Sequence, residues 1–413
     1  MICFDNNTQR ALCNFVVFSL GSITCPGSLG IISARYLEHP FETSAKVRQK
    51  RKQKQIYFSY FYALKKQTIM NVKKLVALIL VAIVLAASLY GYSVYKKIFT
   101  SNTSFEQREI YVYIPTETDY QQVKNILNPY IENMENFVMT AEKKGYLTNI
   151  RAGRFLLKNG MNNNDIVNAL RQNIPLQLTF NNQETIEQLA GRIAQQIEPD
   201  SLSVLQAITD NDFLTENGFT QETALSMYIP NTYEFFWNSS VSQFRERMAK
   251  EYRRFWTEER LEKAKAQNLT PEQVSILAAI VHKETVKIDE RSRVAGVYLN
   301  RLKKGMPLQA DPTVIFAIKK HTGDWNKVIK RVLHKDTQFE SVYNTYLITG
   351  LPPGPIAMPD ISAIEAVLNP EKHDFMYFCA SVERFGYHEF AKTLAQHNIN
   401  AAKYQRWVRQ QGY

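Results

Sequence analysis

The chain has 413 residues, 45% hydrophobic and 22% charged, with 16 Gly and 15 Pro, which excludes a collagenous chain, a wholly disordered one and a disulfide-scaffold mini-protein. The net charge of +11 resides almost entirely in the N-terminal region. Residues 1–74 hold 12 Lys/Arg and 3 Asp/Glu, whereas the remainder holds 38 and 36, so the body carries no basic footprint for nucleic acid.

Cys3, Cys13 and Cys25 lie near the start and Cys379 alone lies in the body, so the body needs no internal disulfide. No C-x-x-C pair indicates zinc, and no cofactor is expected. Residues 1–69 show no sustained helical or strand period. Met70 precedes Asn-Val-Lys-Lys and then an apolar run, the usual opening of a short-tailed membrane anchor. The expectation is that Met70 is the true start and residues 1–69 are mis-assigned or disordered; the alternative is a genuine cytoplasmic tail.

Leu75–Tyr95 is an uncharged run of 21 residues, long enough at ~1.5 Å per residue to span a ~30 Å hydrocarbon layer. Tyr90, Tyr92 and Tyr95 gather at its C-terminal end, where aromatic rings favour the interface. Ten Lys and Arg between Lys46 and Lys74, with no acidic residue among them, place the N-terminus in the cytoplasm and export the body, against the opposing Lys96 and Lys97. No small-residue cleavage site follows, which favours an anchor (70–97) over a cleaved signal peptide.

Residues 98–108 are polar and read as a linker. Ile110–Ile114 is a strand stopped by Pro115. Thr116–Asn133 has a helical period through Val123, Ile126, Leu127 and Ile131, with Pro129 able to end it early. Ala152–Leu157 is a second strand and Asn162–Leu170 a short helix, giving a small β-α-β-α unit within 98–175. Leu176, Leu178 and Phe180 alternate with polar residues as a strand, and Asn181–Ile197 reads as an amphipathic helix. The rest of 176–413 is mostly helical with short strands, Phe375–Ala380 being a buried-strand candidate. The fold class is therefore α+β: one N-terminal transmembrane helix, a small β/α subdomain and a larger, mostly helical domain.

The most informative stretch is Asn268–Lys287. Thr270 is an N-cap, Pro271 suits the first helical position and Gln273 completes a capping box. The apolar stripe Val274, Leu277, Ile280, Val281 leads at its next position to Glu284. A carboxylate thus stands where a core residue belongs, with His282 and Lys283 pointing elsewhere. Such a group either pairs, with Arg291 or Arg301 as candidates, or takes up a proton and serves as a general acid near neutral pH, in the pattern of the catalytic glutamate of lysozyme.

At this helix a family resemblance emerges. Ala279-Ile280-Val281-His282-Lys283-Glu284-Thr285 resembles the (A/S)-I-V-E-K-E-T signature of the endolytic murein transglycosylases, the MltG/YceG-like family. Val294–Leu302, Gly305–Val314, Tyr343–Tyr346 and Gly350–Ile356 agree in order, and Ile229–Phe235 is similar to the family's F-P-D-T-Y-x-F element. The similarity covers essentially 70–413. Two positions depart: His282 stands for the first Glu of E-K-E-T, and Asn231 for the Asp of F-P-D-T-Y, which puts an ionic role there in doubt.

The resemblance implies a lyase that cuts peptidoglycan strands internally between N-acetylmuramic acid and N-acetylglucosamine, leaving 1,6-anhydro ends. Glu284 would be its acid and base. It also implies a bacterial inner-membrane location with the catalytic domain (176–413) outside the cytoplasm, a LysM-like subdomain at 98–175 and a cell-wall synthase as partner. Gln309, Asp311, Thr313, Tyr343, Asn344 and Tyr346 are placed in the cleft, their polar and aromatic types suiting sugars; each has an ordinary alternative, Asp311 as a helix cap among them. Leu351–Pro355 reads as a rigid loop. His388 and His397 read as structural, with no metal site, and Glu389 is a further cleft candidate.

Overall fold

The computed structural model describes residues 44–411, so Cys3, Cys13, Cys25 and residues 1–43 lie outside the described residues. The chain divides into two compact units, Met1–Ser88 and Leu89–Tyr413. Helix α1 (Ser44–Phe99) supplies what is described of the first. Among the described residues it is the one helix long and apolar enough to cross a bilayer. Many of its apolar side chains, Leu75, Leu80 and Val84 among them, are more than half exposed. Residues 44–69 are helical although their sequence shows no helical period. Backbone hydrogen bonding and good helix formers (Lys, Arg, Gln, Leu) carry the helix through a stretch with no amphipathic stripe.

In the second unit a first apolar core forms between residues 105 and 170 around Ile114, Leu127, Phe137, Phe155 and Leu170. Strand β1 (Glu109–Ile114) pairs antiparallel with β2 (Gly153–Lys158), Val112 opposite Phe155. Helix α2 (Tyr120–Leu127) starts at an Asp119 capping box and passes into a 3₁₀ turn at Asn128–Tyr130, where Pro129 breaks the α pattern. The sequence pattern merges this region into one longer helix and misses α3 (Met134–Lys143), which Asn133 caps. Helix α4 (Asn163–Ala169) begins at the Asn162 cap. The expected linker is itself packed: Phe105 is buried, and the buried Asn102 donates to Asn163 Oδ1 at 2.6 Å and to the Asn133 carbonyl at 2.9 Å. Its polar character reflects hydrogen bonding to helix ends rather than solvation.

A second, larger core begins at Leu176. Strand β3 (Leu176–Phe180) pairs antiparallel with β4 (Asn231–Phe235). Between them lie α5 (Ile186–Ala194), α6 (Ser201–Ile208) and α7 (Asn211–Glu216). Helix α5 starts later than the sequence pattern suggests because Thr185 caps it. Asn231 is exposed and its Oδ1 accepts from the Thr232 N–H, a local role that needs no charge.

After α8 (Val241–Phe255) and α9 (Glu258–Ala266) comes the central helix α10 (Pro271–Glu284), buried at every position from Val274 to Val281. A helix apolar on all sides must be surrounded, and α10 is packed by α11 (Arg291–Lys303), α12 (Asp311–Thr322) and α13 (Ile361–Leu368). The hairpin β5 (Tyr377–Ala380)–β6 (His388–Ala391) and helix α14 (Leu394–Gln410) close the chain. β5 is half-buried rather than buried, because its sheet has two strands only. The architecture is a helix-rich α+β fold.

Candidate active site

The capping box at Thr270 and Gln273 fixes where α10 starts, and the buried stripe fixes its rotation, so the end of the helix falls where Glu284 meets a cleft. Thr285 leaves the helix in extended conformation, its N–H still bonded to the Val281 carbonyl at 3.2 Å. The cleft has a volume of ≈ 400 Å³. Glu284, Tyr298, Arg301, Gln309, Asp311 and Tyr346 line it, and the hairpin and α14 contribute Tyr377, Phe378, Cys379, His388 and His397.

Glu284 is half-buried, and its bonded partner is neutral: the Tyr298 hydroxyl donates to Oε1 at 2.7 Å. Burial pushes its pKa up to about 7, with the Asp311 charge adding to the effect; the Tyr298 hydrogen bond and His388 work against it. The expected alternative of an arginine partner is not met. Arg291 is engaged by Asp360 at 3.1 Å and Ser362 at 2.6 Å. Arg301 donates to the carbonyls of Met376, Pro307 and Leu308 and to Gln309 Oε1.

Arg301 thereby ties three pieces of the cleft together and lies 5.1 Å from the centre of the Tyr377 ring. Gln309 has φ +53°, a left-handed conformation unusual for a residue with a side chain, held by its N–H to the Thr345 carbonyl at 2.9 Å. Asp311 opens α12 and accepts from the Tyr346 hydroxyl at 2.6 Å. Burial, followed by the bonded Asp311, raises the Tyr346 phenol above its usual range.

Three of the six residues assigned to the cleft, Gln309, Asp311 and Tyr346, do line it with Glu284. The other three stand elsewhere. Thr313 is fully buried and shares a 2.8 Å hydrogen bond with Thr345. Asn344, also fully buried, donates to the carbonyls of Thr337 and Phe339, bracing a loop. Tyr343 packs on Phe316 with ring centres 4.8 Å apart, beside a different hollow. Leu351–Pro353 line a third hollow of ≈ 540 Å³ at the opposite end of α10, which holds no residue of the Glu284 cleft. Glu389 accepts from Ser381 at 2.6 Å instead of facing the cleft.

Sequence reasoning misses Tyr298 and Tyr377, offers Arg301 only as an ion-pair partner for Glu284, and reads His388 and His397 as structural although both line the cleft. A signal for Tyr298 is available: it stands four residues after Val294 and three before Arg301 on one helix face. His397 stacks on Tyr377 at 5.4 Å with its Nδ1 buried and unpartnered, and burial, with Arg301 nearby, lowers its proton affinity. His282 turns away from the cleft toward Asp360, 3.2 Å away, and burial lowers its proton affinity too. Among the described residues no group of three or more His, Cys, Asp or Glu is placed to hold a metal ion.

A helix-rich α+β fold with a half-buried carboxyl of raised pKa in a polar, aromatic-lined cleft is the kind of site at which a side chain can exchange a proton with a bound molecule. The comparisons narrow the class. The YceG-like family model matches residues 112–403, and the chain belongs to that family. It is 30% identical over 338 residues to an endolytic murein transglycosylase of Bacillus subtilis (strain 168), covering 77% of this chain and 90% of that protein. It is 25% identical over 362 residues to the endolytic murein transglycosylase of Streptococcus pneumoniae serotype 2 (strain D39 / NCTC 7466), covering 79% of this chain and 64% of the relative. A crystal structure of a yceG-like protein from Listeria monocytogenes aligns with a TM-score of 0.49 at 29% identity, over 71% of this chain and 99% of that one.

Proposed function

We propose that this protein is a membrane-anchored endolytic transglycosylase that cuts peptidoglycan glycan strands, with Glu284 as its acid and base. The observation that carries the reading is a carboxyl at the mouth of the cleft, its pKa raised to about 7 by burial and its oxygen bonded to a neutral tyrosine. Its family relatives named endolytic murein transglycosylase support the same class.

In this reading Glu284 gives its proton to the glycosidic oxygen as the bond from C1 of N-acetylmuramic acid breaks. The sugar's own C6 hydroxyl oxygen then bonds to C1, and its proton returns to Glu284. No water is consumed, the protein's proton count is unchanged, and the product is a 1,6-anhydro end. Gln309, Asp311 and Tyr346 line the cleft with Glu284 and hold hydroxyl and amide groups of the strand. The α1 span anchors the enzyme with its N-terminus in the cytoplasm, as the Lys/Arg excess before Leu75 directs. Residues 98–175 serve as a LysM-like strand-holding subdomain, and cutting close to the membrane ends the elongation of nascent strands beside a synthase.

A second reading has one specific support. Asp311 faces the same cleft, and a second carboxylate is what a hydrolytic muramidase needs to activate water or attack C1. Digestion of purified strands by the full-length protein in detergent, wild type and Glu284→Gln, separates the readings by mass spectrometry. Anhydro ends from wild type alone support the lyase. Reducing ends that vanish in the variant favour hydrolysis with Asp311. Binding without any cleavage by wild type leaves a glycan-binding scaffold for cell-wall synthases.

A further inference from the structure

His388 lies in the wall of the Glu284 cleft, but its ring is fixed from behind. Glu290, at the end of a 3₁₀ turn (Ile288–Glu290) and only 5% exposed, accepts from the His388 N–H at 2.8 Å and from His388 Nδ1 at 2.8 Å. A carboxylate can only accept, so the hydrogen of that second bond sits on Nδ1. The other ring nitrogen, Nε2, has no hydrogen bond among the described residues. One residue earlier the Tyr387 hydroxyl donates to Asp289 at 3.1 Å, so the β-hairpin is stitched to the 3₁₀ turn at two consecutive positions. The rings of Phe378 and Phe390 flank the imidazole, with centres 5.0 Å and 6.4 Å away, and leave it little freedom to turn.

We propose that Glu290 and His388 form a carboxylate–imidazolium pair that presents a fixed, charge-compensated cation to Glu284 and stabilises the carboxylate that remains once Glu284 has given up its proton. His388 is a positioning and electrostatic residue here, and the proposal rests on the acid role given to Glu284 above. The arrangement is the orienting logic of a base held by a third group, turned toward a carboxyl instead of a hydroxyl.

The direction of the charges agrees. Burial of Glu290 works against its charge, but the ring and backbone hydrogen bonds of His388 outweigh it, and Glu290 is held below the usual carboxylate range. His388 likewise opposes the burial that pushes Glu284 up. The other groups facing Glu284 are Tyr298 and Arg301 on α11, Asp311 on α12 and Tyr346. From the hairpin and α14 come Tyr377, Cys379 and His397. Arg301 is spent on carbonyls and Gln309, and Asp311 repels, so a second proton, on His388 Nε2, is what would give the cleft a cation directed at Glu284.

The test titrates Glu284 in the full-length protein in detergent by infrared spectroscopy, its carboxyl band assigned by loss in Glu284→Gln. It compares wild type, His388→Gln, His388→Lys and Glu290→Gln, alongside the pH profile of strand cleavage. Removing the adjacent cation in His388→Gln is expected to move the Glu284 midpoint, and the alkaline limb of the rate, upward by about one pH unit, and Glu290→Gln, which takes away the anion that pairs with the ring, is expected to move them the same way. His388→Lys restores a cation without an imidazole and should return the midpoint to within about half a unit of wild type. A uniform loss of rate with an unmoved midpoint in every variant would overturn the pair and leave a structural role. The His388 variants carry the test if Glu290→Gln fails to fold. If wild type proves not to cut at all, the enzymatic reading fails, yet the infrared midpoint still decides whether the pair acts on Glu284.

Discussion

Tyr298 and Glu284 are joined across two helices by a 2.7 Å hydrogen bond in which the phenol donates to the carboxyl. Tyr298 is 1% exposed, and burial raises its own phenol far above the usual range, so it stays neutral and can only soften the charge on Glu284 rather than cancel it. A lysine or arginine in that place would hold Glu284 ionised and rule out the acid role proposed for it. Tyr298→Phe keeps the ring and removes the donor. Glu284 should then hold its proton more tightly, moving the alkaline limb of activity upward by roughly half to one pH unit. The folding cost should be about 1 kcal/mol. Rate–pH profiles beside urea unfolding at one pH check both; an unmoved limb means the hydrogen bond does not reach the chemistry.

Glu284 itself links activity to stability. Its pKa is about 7 in the folded state against an ordinary 4.5, so between those pH values the folded protein keeps a proton the unfolded chain has lost. The folded state binds more protons in that window, and stability falls as pH rises through it. The full cost, up to about 3 kcal/mol, is present above pH ~7 and absent below pH ~4.5. Glu284→Gln should therefore be more stable than wild type at about pH 8 and indistinguishable from it near pH ~4, while losing about 10²- to 10⁴-fold in cleavage. Denaturant unfolding at the two pH values checks the crossing; equal gains at both would mean that Glu284 is not titrating where its burial places it.

Behind Glu284, Arg291 anchors the turn that follows α10. Its side chain is 4% exposed and its guanidinium meets Asp360, Ser362 and the Thr285 carbonyl, one residue past Glu284. Asp360→Ala would leave this guanidinium buried beside His282 with no anion, a loss of about 3 kcal/mol. Asp360→Asn, which keeps an acceptor, should lose less. Both should lower the turnover rate more than the Michaelis constant, since the Thr285 contact positions Glu284 and not substrate. Urea midpoints with kinetics at saturating strand concentration measure the split, and a change confined to the Michaelis constant would contradict it.

How far the sequence can go is visible in these same residues. Glu284 is legible because one helix period, fixed at its start by Thr270 and Gln273, carries a carboxyl into an apolar stripe. The strand at Leu176–Phe180 is legible from alternation, that at Ile110–Ile114 from a strand-like run stopped by Pro115, and the membrane-length helix from its uncharged run. Thr313 and Asn344 look like sugar-binding groups because polar residues in a conspicuous motif invite it. They are fully buried, and there a polar side chain must satisfy backbone groups, as both do. Glu290 and His388 cannot be paired in advance: 98 residues separate them, and only the hairpin's docking on the 3₁₀ turn brings them together. The residues read as a linker escape for the same reason, since Asn102 finds Asn133 and Asn163 only in the fold.

Gly296 offers a prediction of unusual sign. It sits inside α11, where exchanging glycine for alanine ordinarily stabilises a helix by about 1 kcal/mol through the unfolded chain. Here an added Cβ would stand 2.7 Å from the Glu371 carbonyl oxygen and 2.7 Å from His373 Nε2. That stretch of backbone is itself bound to α11, by the Glu371 N–H to the Ser292 carbonyl at 3.0 Å and by Asn300 to the His373 carbonyl at 2.8 Å, so it cannot yield without breaking bonds. Gly296→Ala should cost about 1–3 kcal/mol. It should also push residues 371–376 outward and loosen the Arg301 contact with the Met376 carbonyl, which holds the cleft's hairpin, so cleavage should fall more than stability alone explains. Gly191→Ala on α5, where nothing lies within 4 Å of the new methyl, is the control and should stabilise by up to about 1 kcal/mol. Urea unfolding of the two variants side by side gives opposite shifts if the close approach of α11 to residues 371–373 sets the packing, and shifts of the same sign if that segment can move aside.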